Sequence, residues 1–147
     1  MNILEVFKRE RKKMLERGWD KIYILVDLHG TVFEPTYSKE DEHYIWYRWA
    51  KEALQLMSKC PWMSLILWTS SWPKSIEGYR AEMKKWGIEF DMVGINTQEP
   101  NNELSCFNQK TYFNIGLDDK FGFDPLYDWG DVLAWLEMNG IGRDVRS

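Results

Sequence analysis

The chain is poor in cysteine, in long apolar runs and in excess charge of either sign. Of its 147 residues only Cys60 and Cys106 are cysteines. They are too few and too far apart for a disulfide framework or a thiolate zinc site. No apolar run approaches the roughly 20 residues that a membrane span needs. Residues 1–17 alternate apolar and basic positions and hold no continuous apolar stretch of the signal-peptide kind, so the expected compartment is the cytoplasm. A net charge of −4 argues against broad affinity for nucleic acid and leaves only local basic patches. Repeats and low-complexity segments are absent. What the chain has is apolar and aromatic mass: 44% hydrophobic residues and nine tryptophans. That excludes a disordered tail and suits one domain over residues 1–147, with most of the tryptophans as core.

Residues 2–17 predict an amphipathic helix. Ile3, Leu4, Phe7, Met14 and Leu15 share a stripe, Lys8, Arg9, Arg11, Lys12, Lys13 and Arg17 crowd the rest, and Gly18 ends it. The basic cluster reads as a solvated face, or alternatively as a contact for a phosphate-bearing polymer. Ile22–Asp27 is a short run of β-formers suited to a strand buried on both faces. A flap loop over residues 28–39 follows, rich in Gly, Thr, Pro and Ser. A helix capped by Ser38, with Asp41 in its first turn, is then expected to run to about residue 58 with Ile45, Trp49, Ala53 and Leu56 buried. Further strands are expected over 63–69, 88–95 and 111–117, and further helices over 74–86 and about 129–139; residues 96–109 read as loop. Alternating strands and helices predict a three-layer α/β/α, Rossmann-like domain with a mainly parallel sheet.

Right-handed crossovers bring the carboxyl ends of parallel strands to one edge, where ligands bind. Asp27, Thr69, Asp118 and Asp119 are expected to meet there, with Lys110 just before the fourth strand. Three carboxylates gathered in one place repel one another unless a cation sits among them, and their oxygens are the ligands Mg²⁺ prefers. The Thr69 hydroxyl and the Lys110 ammonium suit the oxygens of a phosphoryl group. Asp27 can serve as metal ligand and nucleophile through different oxygens.

These residues carry a resemblance. Asp27-Leu28-His29-Gly30-Thr31 after an apolar strand resembles the first motif, usually Asp-x-Asp-Gly-Thr, of the haloacid dehalogenase-like (HAD) superfamily. The strand ending in Thr69 resembles its second motif, and Lys110 followed eight residues later by Asp118-Asp119 resembles its third and fourth. Asp118-Asp119-Lys120 with Gly122-Phe123-Asp124 is similar to a small capless branch of the superfamily, although Thr111 stands where that branch has Pro. The likeness spans residues 22 to about 137. Each piece also has a plainer reading, as a turn at Asp27–Gly30, a helix cap at Thr69–Ser70 and a solvated loop at Asp118–Asp119; the order of the motifs favours the resemblance.

The resemblance implies a Mg²⁺-dependent phosphomonoesterase that works through an aspartyl-phosphate on Asp27. Mg²⁺ would be held by Asp27, the backbone carbonyl of His29, Asp118 and, through water, Asp119. Thr69 and Lys110 would hold the transferring oxygens. The departure is His29, which stands where the family usually carries an acid/base Asp. Either His29 does that work, since imidazole exchanges protons near neutrality, or the chain is a slow or inactive phosphate-binding or regulatory protein. The third alternative is an interaction module that assembles through exposed Trp and Tyr side chains. The stretches after Thr31 and after the second strand leave room for no large cap. An open site of that kind suits a phosphorylated substrate such as a nucleotide or a nucleic-acid end, no membrane partner, and contacts from His43, Tyr44, Trp46, Tyr47, Arg48 and Trp72 that either stack a base or simply pack.

Overall fold

A computed structural model describes residues 2–35, 44–99, 101, 103–105 and 110–141. The elements are α1 (Ile3–Arg17), β1 (Ile22–Asp27), α2 (Ala50–Lys59), β2 (Met63–Trp68), α3 (Pro73–Lys85), β3 (Met92–Val93), β4 (Ile115–Leu117), a 3₁₀ turn (Asp119–Phe121) and α4 (Asp128–Met138). The fold is α/β and Rossmann-like. One all-parallel sheet of order β3-β2-β1-β4 is flanked by helices, and the described residues between its strands form no separate cap. No helix among the described residues is long and apolar enough to cross a membrane.

Strand alternation sorts the core into two faces. Ile22, Ile24 and Val26 of β1, Leu65 and Leu67 of β2 and Ile115 and Leu117 of β4 share one cluster with Phe7 and Met14 of α1, Leu54 and Met57 of α2, Met83 of α3 and Trp129 and Leu136 of α4. The opposite face is smaller. Tyr23, Leu25, Ile66 and Met92 gather there with Tyr112 and Phe113, which belong to the chain between β3 and β4.

Several expected elements come out shorter, for identifiable reasons. The expected helix begins only at Ala50; Ser38 and Asp41, its proposed cap, lie outside the described residues. Residues 44–47 are extended, because the Glu34 amide donates to the Ile45 carbonyl (2.8 Å) and the Tyr47 amide to the Val32 carbonyl (2.9 Å). Pairing with residues 32–34 thus overrides the helical periodicity, and Trp49 enters α2 with a left-handed φ of 71°. Ile45 and Trp49 are accordingly exposed, while Ala53, Leu54 and Met57 are buried and Leu56 is half-buried. Leu15 is exposed too, since the stripe of α1 narrows to Phe7 and Met14 at its centre.

The strand expected over 88–95 is reduced to Met92–Val93 and that over 111–117 to Ile115–Leu117. At Asn114 the side chain does part of the strand's work. Its side-chain oxygen accepts the Tyr23 amide (2.7 Å) while the Asn114 backbone amide donates to the Tyr23 carbonyl (2.8 Å). The strand expected over 63–69 ends at Trp68, so Thr69 is the first residue beyond it.

The basic face of α1 is largely engaged. Glu10 takes Arg9 (3.1 Å) and Lys13 (3.3 Å), Glu16 lies 3.8 Å from Lys12, and the guanidinium groups of Arg11 and Arg17 sit over Trp62 and Trp19. These contacts favour the plain structural reading of the cluster.

Candidate functional site

Asp27 closes β1 at the carboxyl edge of the sheet. The chain then turns sharply. The Leu28 carbonyl accepts the amides of Thr31 (3.2 Å), Val32 (2.8 Å) and Phe33 (3.0 Å). Gly30 makes this turn with φ of +85°, and a Cβ there would lie 3.1 Å from Asp119 Oδ2. A side chain at position 30 would therefore be strained by the backbone and crowded by the carboxylate.

Thr31 fastens the turn to the other acidic residues. Its buried hydroxyl lies 3.0 Å from Asp27 Oδ2 and 3.3 Å from Asp119 Oδ1, and it accepts the Asp119 amide at 2.9 Å. One hydroxyl proton thus serves two carboxylates. Behind it the Thr31 carbonyl accepts the indole N–H of the fully buried Trp129 at 2.6 Å, which ties the turn to α4.

Asp118 and Asp119 follow β4. Asp118 is 5% exposed, and its Oδ1 caps the 3₁₀ turn by accepting the Lys120 amide (2.9 Å); Asp119 is exposed. Carboxylate oxygens of Asp27, Asp118 and Asp119 lie within 4.8 Å of one another. Burial, followed by the charge of Asp118, pushes the Asp27 carboxyl up to about 7. Burial and the adjoining Asp119 also raise Asp118. The donor set is hard oxygen throughout, with only Lys120 set against its charge at Asp118 among the described residues, and that chemistry suits Mg²⁺ better than a thiophilic metal.

The rest of the expected site is less assembled. Trp68 is the register partner of Asp27, which sets Thr69 one step past it. Thr69 Oγ1 is 2.9 Å from Ser71 Oγ and accepts the Ser71 amide at 3.2 Å. Lys110 is exposed, and among the described residues it forms no ion pair with the three carboxylates.

His29 turns its ring toward α3. Its Nε2 is 2.8 Å from the Tyr79 hydroxyl, the two rings meet edge-to-face at 5.2 Å, and Nδ1 is buried without a hydrogen-bond partner among the described residues. Burial lowers the imidazole below its ordinary 6.5. Of the expected stacking residues, Tyr44 and Trp46 pack on Phe33 (5.3 and 4.8 Å) and Tyr44 also meets Tyr79 (6.0 Å). Arg48 lies over Trp49 at 4.7 Å, Tyr47 is half-buried, and His43 falls outside the described residues. Trp72 stays 82% exposed at the start of α3.

Three residues escaped the reading of the sequence. Thr31 stood inside the motif, but its hydroxyl as a bridge between carboxylates depends on β4 lying beside β1. Tyr79 shares the 76–79–83 spacing of a buried helix face, a signal that was present. Trp68 beside Asp27 depends on strand register, which no local pattern carries.

No family model matches the chain, and no curated protein matches it. Among solved structures it is similar to a conserved protein from Bacteroides thetaiotaomicron, with a TM-score of 0.61 and 23% identity over 86% of this chain and 98% of that one. At that identity the likeness concerns the fold.

Proposed function

We propose that the chain is a Mg²⁺-dependent phosphomonoesterase of the HAD kind, with Asp27 as nucleophile. The observation that carries this reading is the convergence of Asp27, Asp118 and Asp119 within 4.8 Å at the carboxyl edge of a parallel sheet. The ordered likeness of residues 27–31, 69, 110 and 118–119 to the motifs of that superfamily supports it.

Asp27, Asp118, Asp119 and the His29 backbone carbonyl are the groups that would hold Mg²⁺. The bound ion supplies charge neutralisation at the transferring oxygens. An Asp27 carboxylate oxygen forms the new bond to phosphorus as the bond to the departing alcohol oxygen breaks; the His29 ring gives that oxygen a proton and regains one from the water of the next step. Water then cleaves the acyl-phosphate and returns the carboxylate and inorganic phosphate. Thr31 orients Asp27 through its hydroxyl, and the Thr69 hydroxyl donates to a phosphoryl oxygen once it leaves Ser71. Lys110 adds positive charge from the loop before β4. Nε2 of His29 is taken by Tyr79, so Nδ1 is the ring atom through which His29 moves a proton.

The same His29–Tyr79 contact favours one second reading, a phosphate-binding or regulatory protein of the same fold with weak turnover. An aryl phosphate assay with Mg²⁺ and with chelator separates the two. Mg²⁺-dependent release of phosphate supports the enzyme. Binding of inorganic phosphate without turnover supports the binder, and absence of both overturns the site.

A further inference from the structure

We infer that Trp129 of α4 is a positioning residue for the acidic site: from behind, through Thr31, its indole fixes the spacing of Asp27 and Asp119 and so sets how tightly a divalent cation is held. This rests on the reading of the three carboxylates as a cation site.

The carboxylates come from two separate stretches of chain. Asp27 and the turn after it follow β1, whereas Asp118 and Asp119 follow β4. The Thr31 hydroxyl joins the two, at 3.0 Å from Asp27 Oδ2 and 2.9 Å from the Asp119 amide that it accepts. A hydroxyl can hold two stretches together only if its own backbone is fixed. Two bonds fix it. The Leu28 carbonyl accepts the Thr31 amide (3.2 Å), and the Thr31 carbonyl accepts the Trp129 indole N–H (2.6 Å). Trp129 also reaches the second stretch. Its ring meets Phe123 edge-to-face at 4.8 Å, and the Phe123 amide donates to the Asp118 carbonyl (3.2 Å). One side chain thus touches both arms of the acidic cluster.

Burial makes this hold firm. Trp129 and Thr31 are both fully buried, so an indole N–H that left the Thr31 carbonyl would leave donor and acceptor without water to replace each other. Packing asks only for apolar bulk at this place, whereas the N–H adds direction. Trp135, further along the same helix, is the natural comparison. It is also buried, and its ring packs on Phe7 of α1 (5.3 Å). Like charges drift apart unless their frame resists, and a cation site works only when its ligands are held to within about 0.5 Å. Groups that orient metal ligands from behind typically change affinity by about 10–100-fold.

The test is calorimetric Mg²⁺ titration of the full chain in four forms: the parent, Trp129→Phe, Trp135→Phe, and a protein in which the Trp129 indole is replaced by its benzothiophene isostere. The isostere keeps both rings and loses the N–H, so it decides the matter if Trp129→Phe does not fold. Mg²⁺ affinity should fall about tenfold or more in both Trp129 forms and stay within about twofold in Trp135→Phe. An equal fall in Trp135→Phe, or no fall in the isostere, overturns the inference. Amide hydrogen exchange without metal keeps it apart from the cation reading. The Asp119 amide should exchange about tenfold faster in the isostere than in the parent, and Trp135→Phe should match the parent. If the parent binds no Mg²⁺, the cation reading falls and exchange alone judges Trp129. Faster exchange at Asp119 then upholds its hold on the carboxylates, and unchanged exchange overturns it.

Discussion

The two halves of the strand-end edge differ in how far the fold has assembled them. On the β1–β4 side, Asp27, Asp118 and Asp119 lie within 4.8 Å, Asp27 and Asp119 tied by one buried threonine hydroxyl beside a tight turn and Asp118 by the Lys120 amide. On the β2–β3 side, Thr69 is bonded to its own loop, and Lys110 stands in solvent next to Thr111, whose hydroxyl donates to the Gly94 carbonyl just past β3 (2.7 Å). Repulsive groups need a rigid frame, because burial and mutual charge oppose their gathering. Groups that hold a phosphoryl oxygen need none before that oxygen arrives. The difference predicts that the carboxylates are preorganised for a cation and that the Thr69–Lys110 side closes on the substrate.

The strongest test removes the oxygen proposed to attack phosphorus. Asp27→Asn should bring turnover to background, a loss on the order of 10³-fold or more, while the circular dichroism spectrum is unchanged. Near-parental turnover would sink the covalent mechanism and leave the acidic half without its role. Next in size is the metal. Asp118→Asn should weaken Mg²⁺ binding by more than the 10–100-fold typical of an indirect ligand, and Asp119→Asn by no more than that. Asparagine is chosen at 118 because its carbonyl still caps the Lys120 amide, so a calorimetric titration reads metal affinity rather than loss of a helix cap. Equal and unchanged affinities would reduce the pair to a surface loop.

The contrast between the two halves extends to what the sequence discloses. Ile22–Asp27 and Met63–Trp68 were legible because short apolar runs of β-formers announce buried strands, and the strand ends then located Asp27 and Thr69. The acidic convergence was legible from topology alone. The late start of α2 was not, since residues 44–47 carry helical spacing and are captured by pairing with residues 32–34. Nor was the short β4, where the Asn114 side chain replaces backbone in the ladder. The direction of His29 was hidden for a similar reason. The motif puts a histidine after the strand, but Tyr79, fifty positions away, decides where the ring goes.

Lys110 gives a smaller effect that sharpens the comparison. If the β2–β3 side closes only on substrate, Lys110→Ala should lower kcat about 10–100-fold and leave Mg²⁺ affinity within twofold, whereas Thr31→Val, on the preformed side, should lower metal affinity and thermal stability together. Buried hydrogen bonds to charged groups are worth about 1.5–3 kcal/mol, so the loss at Thr31 is measurable by denaturant melts. A Lys110→Ala variant with weakened Mg²⁺ binding would place the ammonium in the preformed half and erase the distinction.

The smallest effect is a pH dependence of stability without metal. Asp27 has its carboxyl raised from 3.8 to about 7 by burial and by Asp118. A raised acid contributes its stability fully below the unfolded value and loses it as pH rises through the folded one. In chelator, the protein should therefore melt lower at pH 8 than at pH 5, by a shift on the order of 5 °C, and Asp118, raised for the same reason, acts in the same direction. His29 acts oppositely. Its lowered imidazole stays neutral in the fold while the unfolded chain takes up a proton, so it removes stability as pH falls through 6.5. The difference between the parent and Asp27→Asn cancels the His29 contribution and isolates the carboxylate. That difference should favour Asp27→Asn increasingly from pH 5 to 8 in chelator, and saturating Mg²⁺ should reverse it, since the ion binds only the chain that keeps its charge. A difference independent of both pH and Mg²⁺ would mean that Asp27 is solvated like any surface aspartate, and the preformed half would lose its physical basis.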